Sequence, residues 1–231
     1  MNSSDKTVIA DVLQNRSTSY RTFSRLYLRP LSEADIDALA ALDYVAVAQE
    51  LKDVGALAQG FNDMGRFLRK RHTGTRQQLA TDYTMCFDGV EAIAEKVAVP
   101  YASVFLSEKE LLNQEPRHAV YKLFKAESVE LKAGVNLPED HLSFELEFLA
   151  MLSDRALAAL EQDEPHELIR TLGLSRDFIN EYILTWFDLL CDRALKILKT
   201  RFYRGVLTAT KGYLELDLKT VADLIEEVAG E

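Results

Sequence analysis

Residues 140–160 read DHLSFELEFLAMLSDRALAAL. Leu142, Leu146, Leu149, Leu152, Ala156 and Leu160 recur three and four apart, which lays one apolar stripe along a long helix. Asp140 or a neighbour caps its start. Asp163-Glu164-Pro165 breaks it. Downstream, Ser175 is expected to cap a further long helix, with Ile179, Ile183, Trp186, Leu190 and Ile197 as its buried stripe. Lys196, Lys199 and Arg201 gather near its end, where cations suit the helix dipole. A last helix covers residues 202–228. The brief alternation over 213–218 competes only as an isolated strand, which has nothing to pair with.

Upstream the pattern is also helical. Val8, Val12, Tyr20, Phe23 and Tyr27 define a first helix over 5–27, closed by Pro30. Ser32 caps the next, with acids in its first turn. Leu39, Leu42, Val45, Val47 and Leu51 continue it, and Gly55 and Gly60 dent or split it. A helix over 61–71 ends in Arg69-Lys70-Arg71-His72, read as cations at a C-terminal pole rather than an anion site. Thr75 and Gln78 form a capping-box pattern before Leu79, Tyr83, Cys86 and Phe87. Pro100 makes residues 97–106 irregular. Ser107 and Glu110 form a second capping-box pattern, and Pro116 opens a helix running to 131. The fold class is therefore all-α, a bundle of roughly ten helices. It is expected in two halves, 1–132 and 140–231, joined by a hinge loop at 133–139 that carries Gly134 and Pro138.

Composition agrees. The 231 residues are 48% hydrophobic, with only 10 Gly and 5 Pro. That suits long helices around a real core. The net charge of −10 speaks against nucleic acid, whose phosphates call for a basic surface, and favours a basic partner. Cys86 and Cys191 are expected as buried free thiols. No signal peptide or membrane span is apparent, so a soluble cytoplasmic protein without stable membrane insertion is expected.

Chemistry-bearing motifs are few. Phosphate-binding glycine loops, a GxSxG elbow and HExxH are absent, so neither a cofactor nor a metal is expected. His141 and Glu145 stand one helical turn apart, with Asp140 adjoining. An acid/base pair or a metal- or nucleotide-dependent enzyme built on Asp140 and His141 is one reading. A helix cap with an oriented imidazole is the simpler one. Tyr83, Phe87, Tyr101, Phe105, Tyr121 and Phe124 surround the Pro100 break, either as core or as anchors for a bound segment.

Four stretches occur in a recognisable order. They are Asp82-Tyr83-Thr84-Met85-Cys86-Phe87, Val99-Pro100-Tyr101-Ala102-Ser103-Val104-Phe105, Leu137-Pro138-Glu139-Asp140-His141 and Glu145-Leu146-Glu147-Phe148-Leu149. With Arg16 to Tyr20 and Leu28 to Leu31, the chain resembles the TorD/DmsD/NarJ family of redox-enzyme maturation chaperones. Leu137 stands where the family often has Glu, Val99 where a second Pro is usual, and Tyr101 where some members have Trp.

The resemblance implies an all-helical, non-enzymatic cytoplasmic chaperone. Its partners would be the apo catalytic subunit of a DMSO-reductase-type molybdoenzyme and that subunit's twin-arginine signal peptide. The client would be held until its molybdenum cofactor is inserted. A NarJ-type assembly factor that ignores the signal is the variant reading, and a monomer or a domain-swapped homodimer fits either. Peptide-binding positions implied are Tyr83, Phe87, Tyr101, Phe105, Pro138, Asp140 and His141. In such a site Asp140 would accept a guanidinium, worth roughly 1.5–3 kcal/mol, and Tyr101 and Phe105 would each add roughly 0.5–2 kcal/mol.

Overall fold

In the computed structural model, which describes residues 3–93, 96–132 and 134–230, the 140–160 stretch forms α8 (Leu142–Glu161). Its stripe is buried: Leu142, Leu146, Leu149, Leu152 and Ala156 are fully covered. The chain order is α1 (Ser3–Leu28), α2 (Glu33–Ala40), α3 (Tyr44–Glu50), α4 (Gly55–Leu68), α5 (Thr75–Cys86), α6 (Ala102–Leu106) and α7 (Glu115–Ala126). After α8 come α9 (Pro165–Phe178), a π-helical segment (Ile179–Ile183), α10 (Leu184–Ile197) and α11 (Arg201–Ala229). The described residues hold no strand, only the isolated bridges Ile93–Lys96 and Tyr101–His141. The fold is all-α, as the periodicity requires. No described helix is long and apolar enough to cross a membrane.

Local chemistry explains most boundaries. Ser32 and Asp35 form a reciprocal capping box at α2. Asp43 accepts from the N–H groups of Val45 and Ala46 and starts α3, so the Ala-rich stretch is split before either glycine. Pro116 and Pro165 sit in first turns, where a missing N–H costs nothing.

Three capping expectations are corrected. Thr75 is not a cap: its hydroxyl accepts from His72 N–H, and Gly74 holds the N-cap position without a side-chain bond. Ser107 donates back to the Ser103 carbonyl at 2.6 Å, so its hydroxyl starts no helix, and the chain stays irregular until Glu115. Ser175 lies buried inside α9. The helix of Pro116 also ends early, at Ala126, because Ser128 turns left-handed at φ 56°. Both cysteines are free, Cys86 buried and Cys191 half-buried.

Contacts gather the chain into two units, each built from separate stretches. The first comprises Met1–Arg25, Tyr101–Trp186 and Asp217–Glu231; the second comprises Leu26–Pro100 and Phe187–Leu216. Helices α1, α10 and α11 contribute residues to both. The loop residues 134–139 fall inside the first unit, and Ala133 lies outside the described residues.

Within the first unit, Ile9 and Leu13 of α1 pack with Ala156 and Leu160 of α8, Leu168 and Leu172 of α9, and Val221 and Leu224 of α11. An ion pair fixes their register. Arg16 donates from Nε and Nη2 to Asp217 at 2.6 and 2.9 Å, and the Tyr20 hydroxyl donates to the same carboxylate at 2.6 Å. Both charged side chains are almost wholly buried.

In the second unit, α4 meets α11 without room for side chains at Gly60. A Cβ there would lie 2.4 Å from the Ala209 nitrogen. Asp82 on α5 accepts from the Lys199 and Thr200 N–H groups at 2.8 and 2.9 Å, and from the Thr200 hydroxyl at 2.5 Å. These bonds satisfy donors at the entry to α11.

Removing one member of a buried pair leaves the other charge uncompensated. Asp217→Ala is expected to lower unfolding free energy by about 3–5 kcal/mol in urea denaturation. The double change Arg16→Met with Asp217→Leu should restore most of that loss.

Candidate functional site

Residues 101–105 and the start of α8 meet in the first unit. Tyr101 is extended, at φ −126° and ψ 130°, and bridges to His141. Ala102 N–H donates to the Asp140 carbonyl at 3.1 Å. Ser103 N–H donates to Asp140 Oδ2 at 2.8 Å. Asp140 therefore holds the first turn of α6, a neighbour distant in sequence. His141 caps α8 instead, accepting from Ser143 N–H at Nδ1, 3.1 Å away. The Tyr101 ring stands edge-on to the imidazole, centroids 4.7 Å apart. Phe105 stacks on Trp186 at 5.5 Å. Glu139, just before this corner, pairs with Arg117 of α7 at 2.6 Å.

All four of these sequence-picked residues are buried: Tyr101 and Phe105 are 8% exposed, His141 3% and Asp140 0%. Pro138 is half-buried beside them in sequence. Tyr83 and Phe87 belong to the second unit. There they pack with Tyr27 and Tyr203, centroids 5.4–6.0 Å apart, and the Tyr83 hydroxyl donates to the Tyr27 carbonyl at 2.8 Å.

Burial sets the titration of the corner. Desolvation pulls His141 down to about 4, so it is neutral at pH 7. It pushes Asp140 up, against the opposing hydrogen bonds from Ser103. Glu145, fully buried one turn into α8, is held well above the carboxylate range by desolvation first and then by Asp140. Neither Glu145 oxygen has a hydrogen-bond partner. The Trp186 indole N–H lies close enough to ease its charge slightly, yet neither group meets the other in hydrogen-bond geometry. His141 and Glu145 thus form no acid/base pair. Among the described residues no cluster of His, Cys, Asp and Glu is placed to hold a metal.

A cavity of about 400 Å³ has Glu145 in its wall. Ala102 and Leu106 of α6, Glu115, Pro116, Ala119 and Val120 of α7, and Glu181 and Tyr182 of the π-helical segment complete it. Near it in sequence, Leu106, Leu111, Leu112 and Tyr121 are 41–56% exposed. The sequence reading named Glu145 but missed Glu115, Glu181 and Tyr182. A π-helical turn has no single-sequence signature, and it is what brings the last two to the cavity.

The second unit has its own cavity, of about 470 Å³, lined by Arg66, Arg69, Lys70, His72 and Arg201 with Phe67, Thr75 and Gln78. Helix α4 ends at Leu68, and Arg71 donates to the Leu68 carbonyl at 3.5 Å. Arg69, Lys70 and His72 of that basic run line the cavity instead.

Residues 51–192, more than half of the chain, match the family described as nitrate reductase delta subunit. The chain belongs to this family, that of the TorD and NarJ proteins. The chaperone protein TorD of Vibrio cholerae serotype O1 (strain O395) is 26% identical over 214 residues, covering 93% of this chain and 95% of that protein. TorD of Aliivibrio salmonicida is 26% identical over 214 residues, covering 90% and 95%. TorD of Vibrio vulnificus (strain YJ016) is 27% identical over 206 residues, covering 88% and 93%. These relatives are named as chaperones, not as enzymes.

The Glu145 environment has a pH signature. Its folded-state pKa is raised, so its contribution to stability is present below about pH 4.5 and is lost as pH rises towards the folded value. Glu145→Gln removes that loss while keeping the shape. The melting temperature of the variant minus that of wild type should therefore grow from pH 5 to pH 8 in calorimetry. His141 works in the opposite sense, losing stability as pH falls from 6.5 to about 4, but cancels in this difference.

Proposed function

We propose that this protein is a maturation chaperone for a molybdoenzyme catalytic subunit of the DMSO-reductase type. It holds the immature subunit, by its twin-arginine signal segment, in the cytoplasm until the molybdenum cofactor is in place. The carrying observation is the similarity to chaperones named TorD along as much as 93% of the chain. Surface chemistry supports the reading. A twin-arginine signal joins cations to an apolar stretch. The first unit has a cavity whose lining includes Glu115, Glu181 and the half-exposed Leu106, and the net charge of −10 favours a basic client.

In this reading Tyr101, Phe105, Asp140 and His141 act from beneath, by shaping the corner that carries α6 and the start of α8. Pro138 is the member of the set closest to the surface. Tyr83 and Phe87 support the second unit. The family description, which names a nitrate reductase subunit, favours a second reading in which the mature client is held and the signal is ignored.

Co-purification of a molybdoenzyme catalytic subunit with and without its signal segment separates these. Capture should require the signal; capture that survives its deletion selects the second reading, and no capture of either form overturns both. Asp140→Ala frees the Ser103 N–H and should weaken capture at least tenfold while leaving circular dichroism helicity nearly unchanged. A large loss of helicity would make Asp140 a purely structural pin.

A further inference from the structure

The cations around the cavity of the second unit are not used up by the fold. Arg71 reaches the Leu68 carbonyl at 3.5 Å and pairs with Asp37 at 4.0 Å, but it does not line the cavity. Arg66, Arg69 and Lys70 do line it. All three are exposed, and among the described residues none of them has an ion-pair partner. Arg201 joins them from the start of α11; it pairs with Asp63 at 3.5 Å and stays 56% exposed. Among the described residues no carboxylate lines this cavity, although the chain carries 37 acidic residues against 27 basic ones. Four permanent positive charges around one concavity repel one another and focus their field into it. A negative group supplied from outside relieves that repulsion.

The start of α5 adds donors of the same sense. Gly74 at its N-cap position gives no side-chain bond, so the first-turn N–H groups lack a side-chain acceptor. Thr75 and Gln78 bring that end of α5 to the cavity wall. His72 accepts the Gly74 N–H at Nδ1, 3.1 Å away, which leaves the ring proton on Nε2 as a further donor.

We infer that this cavity docks an acidic segment of the partner protein's mature part, with two or more of its carboxylates entering together. That the partner is the immature subunit rests on the chaperone reading above; the charge of the cavity does not. A twin-arginine segment is repelled here, so the acidic segment comes from another part of the client. Arg66 and Lys70 stand one turn apart on α4, about 5–6 Å between Cβ atoms, and Arg201 comes from a different helix. Cations spread in this way suit carboxylates strung along a chain better than one compact anion. Guanidinium forks receive carboxylates through two parallel bonds. Half-buried Phe67, tilted against Phe202 at 6.1 Å, offers an apolar contact between them. A nucleic acid fits poorly, because its phosphates continue past the cavity onto a chain of net charge −10. The volume of about 470 Å³ is that of a ligand pocket, about 300–1,000 Å³, so side chains enter it rather than rest on a flat surface.

The test measures fluorescence polarisation of a labelled, end-capped peptide of alternating glutamate and alanine with the full chain. Saturable binding is expected, at least tenfold weaker for the glutamine counterpart of the peptide. It should also be at least tenfold weaker in the double variant Arg66→Gln with Lys70→Gln. Both positions are exposed, so that variant should keep its melting temperature. Arg71→Gln, an exposed neighbouring cation outside the cavity, should bind as wild type does. No binding by wild type, equal binding by the double variant, or an equal loss in Arg71→Gln overturns the inference. So does displacement of the peptide by an equal concentration of inorganic phosphate, or tighter binding of a single-stranded RNA of the same charge. Capture of the immature subunit by the same wild-type sample keeps the outcomes apart. Capture without peptide binding sinks the cavity alone. Peptide binding without capture sustains the cavity and sinks the chaperone reading.

Discussion

Asp217 accepts two hydrogen bonds from Arg16 and one from Tyr20, and the closing of the first unit depends on that buried ion pair. The three residues come from opposite ends of the chain. A hydrophobic stripe alone lets two helices slide by a turn, because neighbouring turns look alike to Leu and Val. A buried, bidentate charge pair does not tolerate such a slip, since a shifted register leaves both charges bare. The same logic recurs where Asp82 meets the entry to α11 and where Asp140 meets α6. Each pin joins segments that are far apart in sequence.

Glu145 is also fully buried, and desolvation, with Asp140 nearby, holds it well above the carboxylate range while the Trp186 indole eases its charge. Family membership adds that the relatives of this fold are named as chaperones.

Helices were legible because their apolar periodicity is local. The stripe of α8 and the Ser32 capping box needed only neighbouring residues, whereas in α1 Ile9 and Leu13 face the core in place of the expected Val8 and Val12, and Val8 is 61% exposed. Capping patterns failed where a hydroxyl found another partner: Thr75 turned to His72 N–H, and Ser107 turned back to the Ser103 carbonyl. Of the site, Asp140 and His141 were legible as a place, yet their roles were exchanged. Imidazole caps α8, and the carboxylate reaches a helix 37 residues upstream. Glu145 could be named from its spacing to His141. Its place in the cavity wall depends on α6, α7 and the π-helical turn, which no window around residue 145 contains.

The most direct measurement is photo-crosslinking from a position next to an arginine of the client's signal segment, with the crosslinked residues mapped by mass spectrometry. The account predicts adducts on residues 102–120 and 181–182, around the cavity of the first unit. Adducts confined to the basic cavity around Arg66, Lys70 and Arg201 would contradict it.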